Sequence, residues 1–147
     1  MNKPLYRKDY IVTSVVAVII DDEERVLLTK RSISPFKGMW VMPGGQIDLG
    51  EPILTALQRE VFEEVGLLVE TGSLIDVFEH VAPGEGNCHY IILFYRCRPL
   101  ACDIEYNQQE VQEAAWVPRQ QLSAYQMPEG TRHILCKLFP ELLDNSG

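Results

Sequence analysis

The chain has 147 residues, 46% apolar and 23% charged, with a formal net charge of −8. That length suits one globular domain, residues 1–147, able to bury a core without disulfides or a structural metal. The acidic balance disfavours coating of DNA or RNA, but leaves a small phosphate substrate open, because a bound divalent cation can reverse the local sign.

Met1 to Tyr10 is polar and mixed in charge, without the apolar stretch of a secretory signal. Val15 to Ile20 is the longest apolar run and is far too short to cross a bilayer. A cytoplasmic location and no membrane partner are therefore expected. Cys88, Cys97, Cys102 and Cys136 form no Cys-x-x-Cys motif and are expected to be reduced, mostly buried thiols.

Tyr10 to Ile20 is rich in Val and Ile and predicts a largely buried strand. Asp21 to Glu24 is expected to be a solvated turn and not a metal site, and Arg25 to Thr29 returns as a second strand. Ser32 to Met39, with Pro35 and Gly38, is a loop. Trp40-Val41-Met42 is a short apolar stretch stopped by Pro43-Gly44-Gly45. Residues 46–52 form a loop, with Pro52 suited to a first helical turn. Ile53 to Val65 is the clearest helix, and Gly66 falls where a helix-ending glycine belongs. Strands are expected at Ser73 to Val81, His89 to Cys97 and Ala114 to Val117, with a Pro-Gly-Glu-Gly loop at residues 83–86. A brief helix is expected over Gln120 to Tyr125, and a terminal one over Thr131 to Leu143 that Pro140 would end or kink. Strands around a central helix, with another helix at the end, predict an α/β fold: a mixed sheet covered on both faces.

On a wheel of about 100° per residue, Leu54, Leu57, Val61 and Val65 fall on one side, which would face the sheet. Glu60, Glu63 and Glu64 fall on an adjacent side at i, i+3 and i+4, so their carboxylates converge within one turn. Like charges at that spacing weaken a helix, and they sit toward its C-terminal end, where the macrodipole disfavours anions. Arg59 can offset part of this. A divalent cation would offset more, and carboxylate oxygens with water suit Mg²⁺ or Mn²⁺.

From Gly45 the chain reads GQIDLGEPILTALQREVFEEVGL. This resembles the Nudix box, G-x5-E-x7-R-E-U-x-E-E-x-G-U, with U a bulky aliphatic residue. Gly45, Glu51, Arg59, Glu60, Glu63, Glu64 and Gly66 match the fixed positions, and Val61 and Leu67 the aliphatic ones. Seven specified residues arise by chance on the order of 10⁻⁹ per window. The resemblance implies a Nudix-type α/β/α sandwich and a metal-dependent hydrolase of a pyrophosphate bond in a nucleoside diphosphate linked to another group.

Carried onto the matching positions, the resemblance implies that Glu60, Glu63 and Glu64 hold metal, with the Gly45 carbonyl as a further ligand. Glu51 would support the cluster through Arg59 or a metal-bound water, and Arg59 would orient carboxylates. Gly44 and Gly45 would let backbone approach closely or adopt positive φ. Arg31, ending the second strand, is a candidate for a substrate phosphate. Candidates for the general base are Glu63, Glu64, Glu110 and Glu113. His80, His89 and His133 lack metal-pair spacing. Phe36, Trp40 and Tyr90 could stack on a base, with core packing the better expectation for Trp40 and Tyr90.

The box leaves the substrate open. Pro83, and the Ser32-Ile33-Ser34-Pro35 loop followed by Trp40, are similar to features of ADP-ribose-cleaving members. ADP-ribose or a similar nucleotide sugar therefore comes first, nucleoside triphosphates, oxidised ones included, second, and capped RNA a distant third. A non-catalytic nucleotide sensor is the rival from another class. Many members are dimers, so a homodimer is one expectation for the assembly.

Overall fold

The computed structural model describes residues 10–33, 36–82 and 88–144. The 83–86 loop, with Pro83, and Ser34 and Pro35 lie outside the described residues, as does nearly all of the polar N-terminal segment. The chain order is β1 (Val12–Ile19), β2 (Arg25–Arg31), β3 (Trp40–Val41), β4 (Gly44–Gln46), α1 (Ile53–Val65), β5 (Val69–Ala82), β6 (Cys88–Pro99), β7 (Val111–Pro118), a 3-10 turn (Arg119–Ala124), α2 (Glu129–Leu138) and α3 (Glu141–Asp144). Helix α1 has the expected bounds, and its terminal glycine is left-handed, with Gly66 at φ 69° donating to the Phe62 carbonyl. The terminal helix breaks at Pro140 as expected.

The strands form two sheets. One runs β4-β1-β6-β5, with β1 parallel to β6 and the other pairings antiparallel. The other runs β3-β2-β7 and is antiparallel. Side-chain alternation divides the interior. Val15, Ala17 and Ile19 of β1 pack with Leu57, Val61 and Val65 of α1. Val18 joins Val26 and Leu28 of β2, Phe94, and Ile134 and Leu135 of α2. Sheet between helices is the expected α/β/α layering.

Three local readings are corrected. Leu54 lies on the apolar stripe of α1 but is 40% exposed: it stands in the first turn, where a side chain leans back toward the helix start and gains little cover. Glu64, read as part of an acidic side, is only 7% exposed, because β4 packs over that side of α1 and the Gly44 N–H meets its carboxylate. Gly44-Gly45 does not merely stop the preceding stretch but opens β4, pairing with Val16 and Val15 of β1.

The expected solvated turn is solvated at Asp22, Glu23 and Glu24, but Asp21 itself is buried and held by its own bonds. The Asp21 carboxylate accepts from the backbone N–H groups of Glu23 and Arg25 at 3.0 and 2.8 Å and from Arg25 Nε at 2.7 Å. That is an Asx-type turn. The four cysteines are free; Cys88 and Cys97 are buried, Cys136 is half-buried and Cys102 exposed.

Candidate active site

Strand β4 is the edge of its sheet, and α1 lies against it. The two glycines that open β4 serve different contacts. A side chain at Gly44 would meet the Val15 carbonyl oxygen at 2.3 Å, so glycine is what lets β4 approach β1. A side chain at Gly45 would meet the Glu60 carboxyl carbon at 2.4 Å, so glycine there makes room for a carboxylate. Both positions meet the expectation of close approach, and neither uses positive φ.

The carboxylates of α1 are organised by two groups. The backbone N–H of Gly44 donates to Glu64 Oε2 at 3.0 Å. Arg59 forms a fork on Glu51, with Nε to Oε2 at 2.7 Å and Nη2 to Oε1 at 2.9 Å. Its Nη1 donates to Glu60 Oε1 at 3.0 Å and Glu63 Oε2 at 3.2 Å, and its Nη2 to the Gln46 carbonyl at 3.3 Å. Asp48 Oδ2 lies 3.6 Å from the same guanidinium. One cation thus serves four carboxylates, which raises the Arg59 pKa, chiefly through the Glu51 bond. The expected link from Glu51 through Arg59 is present; Asp48, in the loop before Glu51, was not singled out in the sequence.

Burial makes this acidity costly. Desolvation pushes the Glu64 carboxyl well above its usual 4.5; the Gly44 N–H and the charge of Arg31 oppose the rise, while Glu60 and Glu110 add to it. Glu60 is raised for the same first reason, against the opposing pull of Arg59. The charge of Glu110 thus acts on both the buried Glu64 and the half-buried Glu60. Glu113 is exposed on β7, opposite Lys30. Among the described residues, no three His, Cys, Asp or Glu side chains already form a cage for an ion; Arg59 draws Glu63 and Glu60 toward itself. The donors nonetheless fit a hard divalent cation in kind. They are carboxylate oxygens, two of the three carboxylates are desolvated, and more negative charge is gathered than one arginine balances.

On the other side of β4 lies a cleft of about 1090 Å³. Arg31, Gly44 and Gly45 border it, as do Phe36, Phe78, His80 and Tyr90. The expected phosphate candidate Arg31 and the glycine pair therefore line the same cleft, and Glu60 and Glu64 lie directly against those glycines. Trp40 packs edge-on against Tyr125 at 5.0 Å, as expected for a core residue. Tyr90, expected to pack in the core, lines the cleft instead. Phe78 and the start of α2 were missed in the sequence. The alternation that puts Phe78 beside His80 was visible, but not which face of β5 would meet open space. His89 pairs with Glu79 at 2.7 Å, and His133 lies 3.5 Å from Asp76.

Residues 11–138 match the NUDIX domain family model. The chain is 32% identical over 125 residues to the 8-oxo-dGDP phosphatase NUDT18 of Mus musculus, covering 80% of this chain and 36% of that protein. It is 42% identical over 60 residues to the ADP-ribose pyrophosphatase of Methanocaldococcus jannaschii, covering 41% of this chain and 36% of that protein. The crystal structure of the MutT NUDIX hydrolase from Burkholderia pseudomallei superposes with a TM-score of 0.80 at 27% identity, covering 88% of this chain and 99% of that one. The chain belongs to the Nudix hydrolase family. It spans only 36% of the length of each of the two named relatives. No helix among the described residues is long and apolar enough to cross a membrane.

Proposed function

We propose that this chain is a metal-dependent pyrophosphohydrolase of nucleoside diphosphate derivatives. The observation that carries the reading is a pair of carboxyls, buried Glu64 and half-buried Glu60, set against Gly44 and Gly45 at the sheet edge that also borders the cleft. Glu60, Glu63 and Glu64, with the Gly45 carbonyl, would hold Mg²⁺ or Mn²⁺. Such an ion neutralises phosphate oxygens and lowers the pKa of water. Arg59, locked by Glu51, orients the carboxylates and is too occupied to serve as a substrate clamp. Arg31 faces the cleft and offers the positive charge for a phosphate. Glycine at 44 and 45 allows a phosphate to approach backbone closely. The attacking water's proton falls to Glu63, Glu64 or Glu110; the charge of Glu110 is felt at both Glu60 and Glu64, which favours it over Glu113.

ADP-ribose or a similar nucleotide sugar is the first substrate in this reading, supported by the likeness to an ADP-ribose pyrophosphatase. A second reading, an oxidised purine nucleotide, is favoured by the longer match to an 8-oxo-dGDP phosphatase. Free thiols in all four cysteines suit the cytoplasmic setting included in the proposal. The test is a panel of ADP-ribose, NADH, diadenosine polyphosphates, dNTPs, dGDP and their oxidised forms, with Mg²⁺ or Mn²⁺ and products identified by chromatography. Two phosphate-bearing products from ADP-ribose are expected. Faster turnover of oxidised dGDP or dGTP would reverse the ranking, and binding without turnover across the panel would make the chain a sensor.

A further inference from the structure

Gly130 is the second residue of α2, and its φ lies outside the left-handed region that calls for glycine. A glycine in a helix costs up to about 1 kcal/mol relative to alanine. What its missing side chain provides is space. A Cβ at Gly130 would stand 3.1 Å from Cδ1 and 3.2 Å from Cε1 of Phe78, closer than such atoms normally pack. Phe78 lies on β5, and both residues line the cleft.

Helix α2 lies along β5 here, and of the two partners in that contact the Phe78 ring, a side chain bordering the open cleft, gives more easily than helix backbone. Lys137 Nζ donates to the Ile75 carbonyl at 3.2 Å and lies 3.2 Å from Asp76 Oδ2, which ties α2 to β5 beside Phe78. The His133 ring sits against the Phe78 ring at 5.6 Å. Any bulk added at 130 would therefore press the Phe78 ring toward the open side, which is the cleft. Two residues along β5, His80 shares the Phe78 face, and its register partner Tyr90 on β6 lies 6.4 Å away ring to ring. Phe78, His80 and Tyr90 together give the cleft an aromatic floor, a surface that suits a flat heteroaromatic ring.

We propose that the Gly130–Phe78 contact sets the width of a slot for the base of the nucleotide, which makes Gly130 a specificity-determining position. The inference rests on the substrate class proposed above. The test is calorimetric binding of ADP, GDP and inorganic pyrophosphate, each with Mg²⁺, to wild type, Gly130→Ala, Phe78→Leu and the double variant, with melting curves for each. Gly130→Ala is expected to weaken ADP and GDP about fivefold or more, the scale of overpacking a formed site, and to leave pyrophosphate within about twofold of wild type. Adding Phe78→Leu should restore ADP and GDP to the affinity of Phe78→Leu alone.

Unchanged ADP and GDP affinity in Gly130→Ala, loss without rescue by Phe78→Leu, equal weakening of pyrophosphate, or a wild type that binds neither nucleotide would each overturn the slot. If Gly130→Ala does not fold, Phe78→Leu decides: it must alter ADP affinity and spare pyrophosphate. The expected pattern in a protein that hydrolyses nothing in the substrate panel would uphold the slot and refute the hydrolase.

Discussion

The backbone N–H of Gly44 donates to Oε2 of Glu64 at 3.0 Å. That bond joins an edge strand to a buried carboxylate, and it fixes where the acidic side of α1 stands relative to the cleft. Glutamine at 64 could keep the bond and lose the charge. Glu63→Gln and Glu64→Gln are each expected to lower kcat by at least about 10²-fold, the scale of lost metal or acid–base stabilisation. Steady-state kinetics on the preferred substrate checks this; near-wild-type turnover by both variants would take the helix out of the mechanism.

The same buried carboxyl gives a pH-dependent stability with a definite sign. Burial holds Glu64 well above its ordinary 4.5. Below that ordinary value folded and unfolded chains both carry the proton. As pH rises through it, the unfolded chain releases the proton first, so stability falls until the folded group also ionises and then levels off. Thermal melts with chelator from pH 5 to 8 should show this decline in wild type and a smaller one in Glu64→Gln. At pH 8 the variant should melt higher than wild type, and below the ordinary carboxylate range that gap should close. An identical decline in both would contradict it.

Gly44 and Gly45 should separate fold from site. Alanine at 44 meets backbone, the Val15 oxygen at 2.3 Å and the Val16 Cα at 2.8 Å, so β4 has to move off β1. A loss of about 1–3 kcal/mol is expected in denaturant unfolding. Alanine at 45 meets first the carboxyl end of Glu60, the far end of a flexible side chain that can swing away. Gly45→Ala should therefore keep most of its stability and lose activity with the displaced carboxylate. Comparable destabilisation by both substitutions would refute the distinction.

Arg59→Lys keeps the charge but cannot fork onto Glu51 while reaching Glu60 and Glu63. Activity or metal affinity should fall about 10- to 100-fold, as for other groups that orient metal ligands. Arg59→Ala should in addition cost about 1–3 kcal/mol, because Glu51 and Glu60 lose a charged partner in a largely dry setting. Kinetics as a function of Mg²⁺, together with urea unfolding, would separate the two effects.

Much of the site was legible in the sequence because it is local. The bounds of α1 and the Glu51–Arg59 link follow from helical spacing and one short loop, whereas the three glutamates do not gather on one point: Glu64 turns to the Gly44 N–H, and Glu60 and Glu63 turn to Arg59. Burial of Glu64 was not legible. It depends on β4 packing over that side of the helix, and a glycine-rich triplet gives no strand signal until β1 is there to pair with it. The cleft failed for the same reason. Phe78 and Tyr90 lie on the neighbouring strands β5 and β6 while Gly130 comes from the distant α2, and periodicity tells which residues share a face but not which face meets space.

The central claim is that Glu60, Glu63 and Glu64 hold a divalent cation. Its most direct test is Mn²⁺ titration followed by electron paramagnetic resonance, in wild type and in the Glu60→Gln/Glu64→Gln variant. A saturable Mn²⁺ site in wild type, weakened at least about tenfold in the variant, is the expected result. No saturable site in wild type, or equal binding by both proteins, would contradict it.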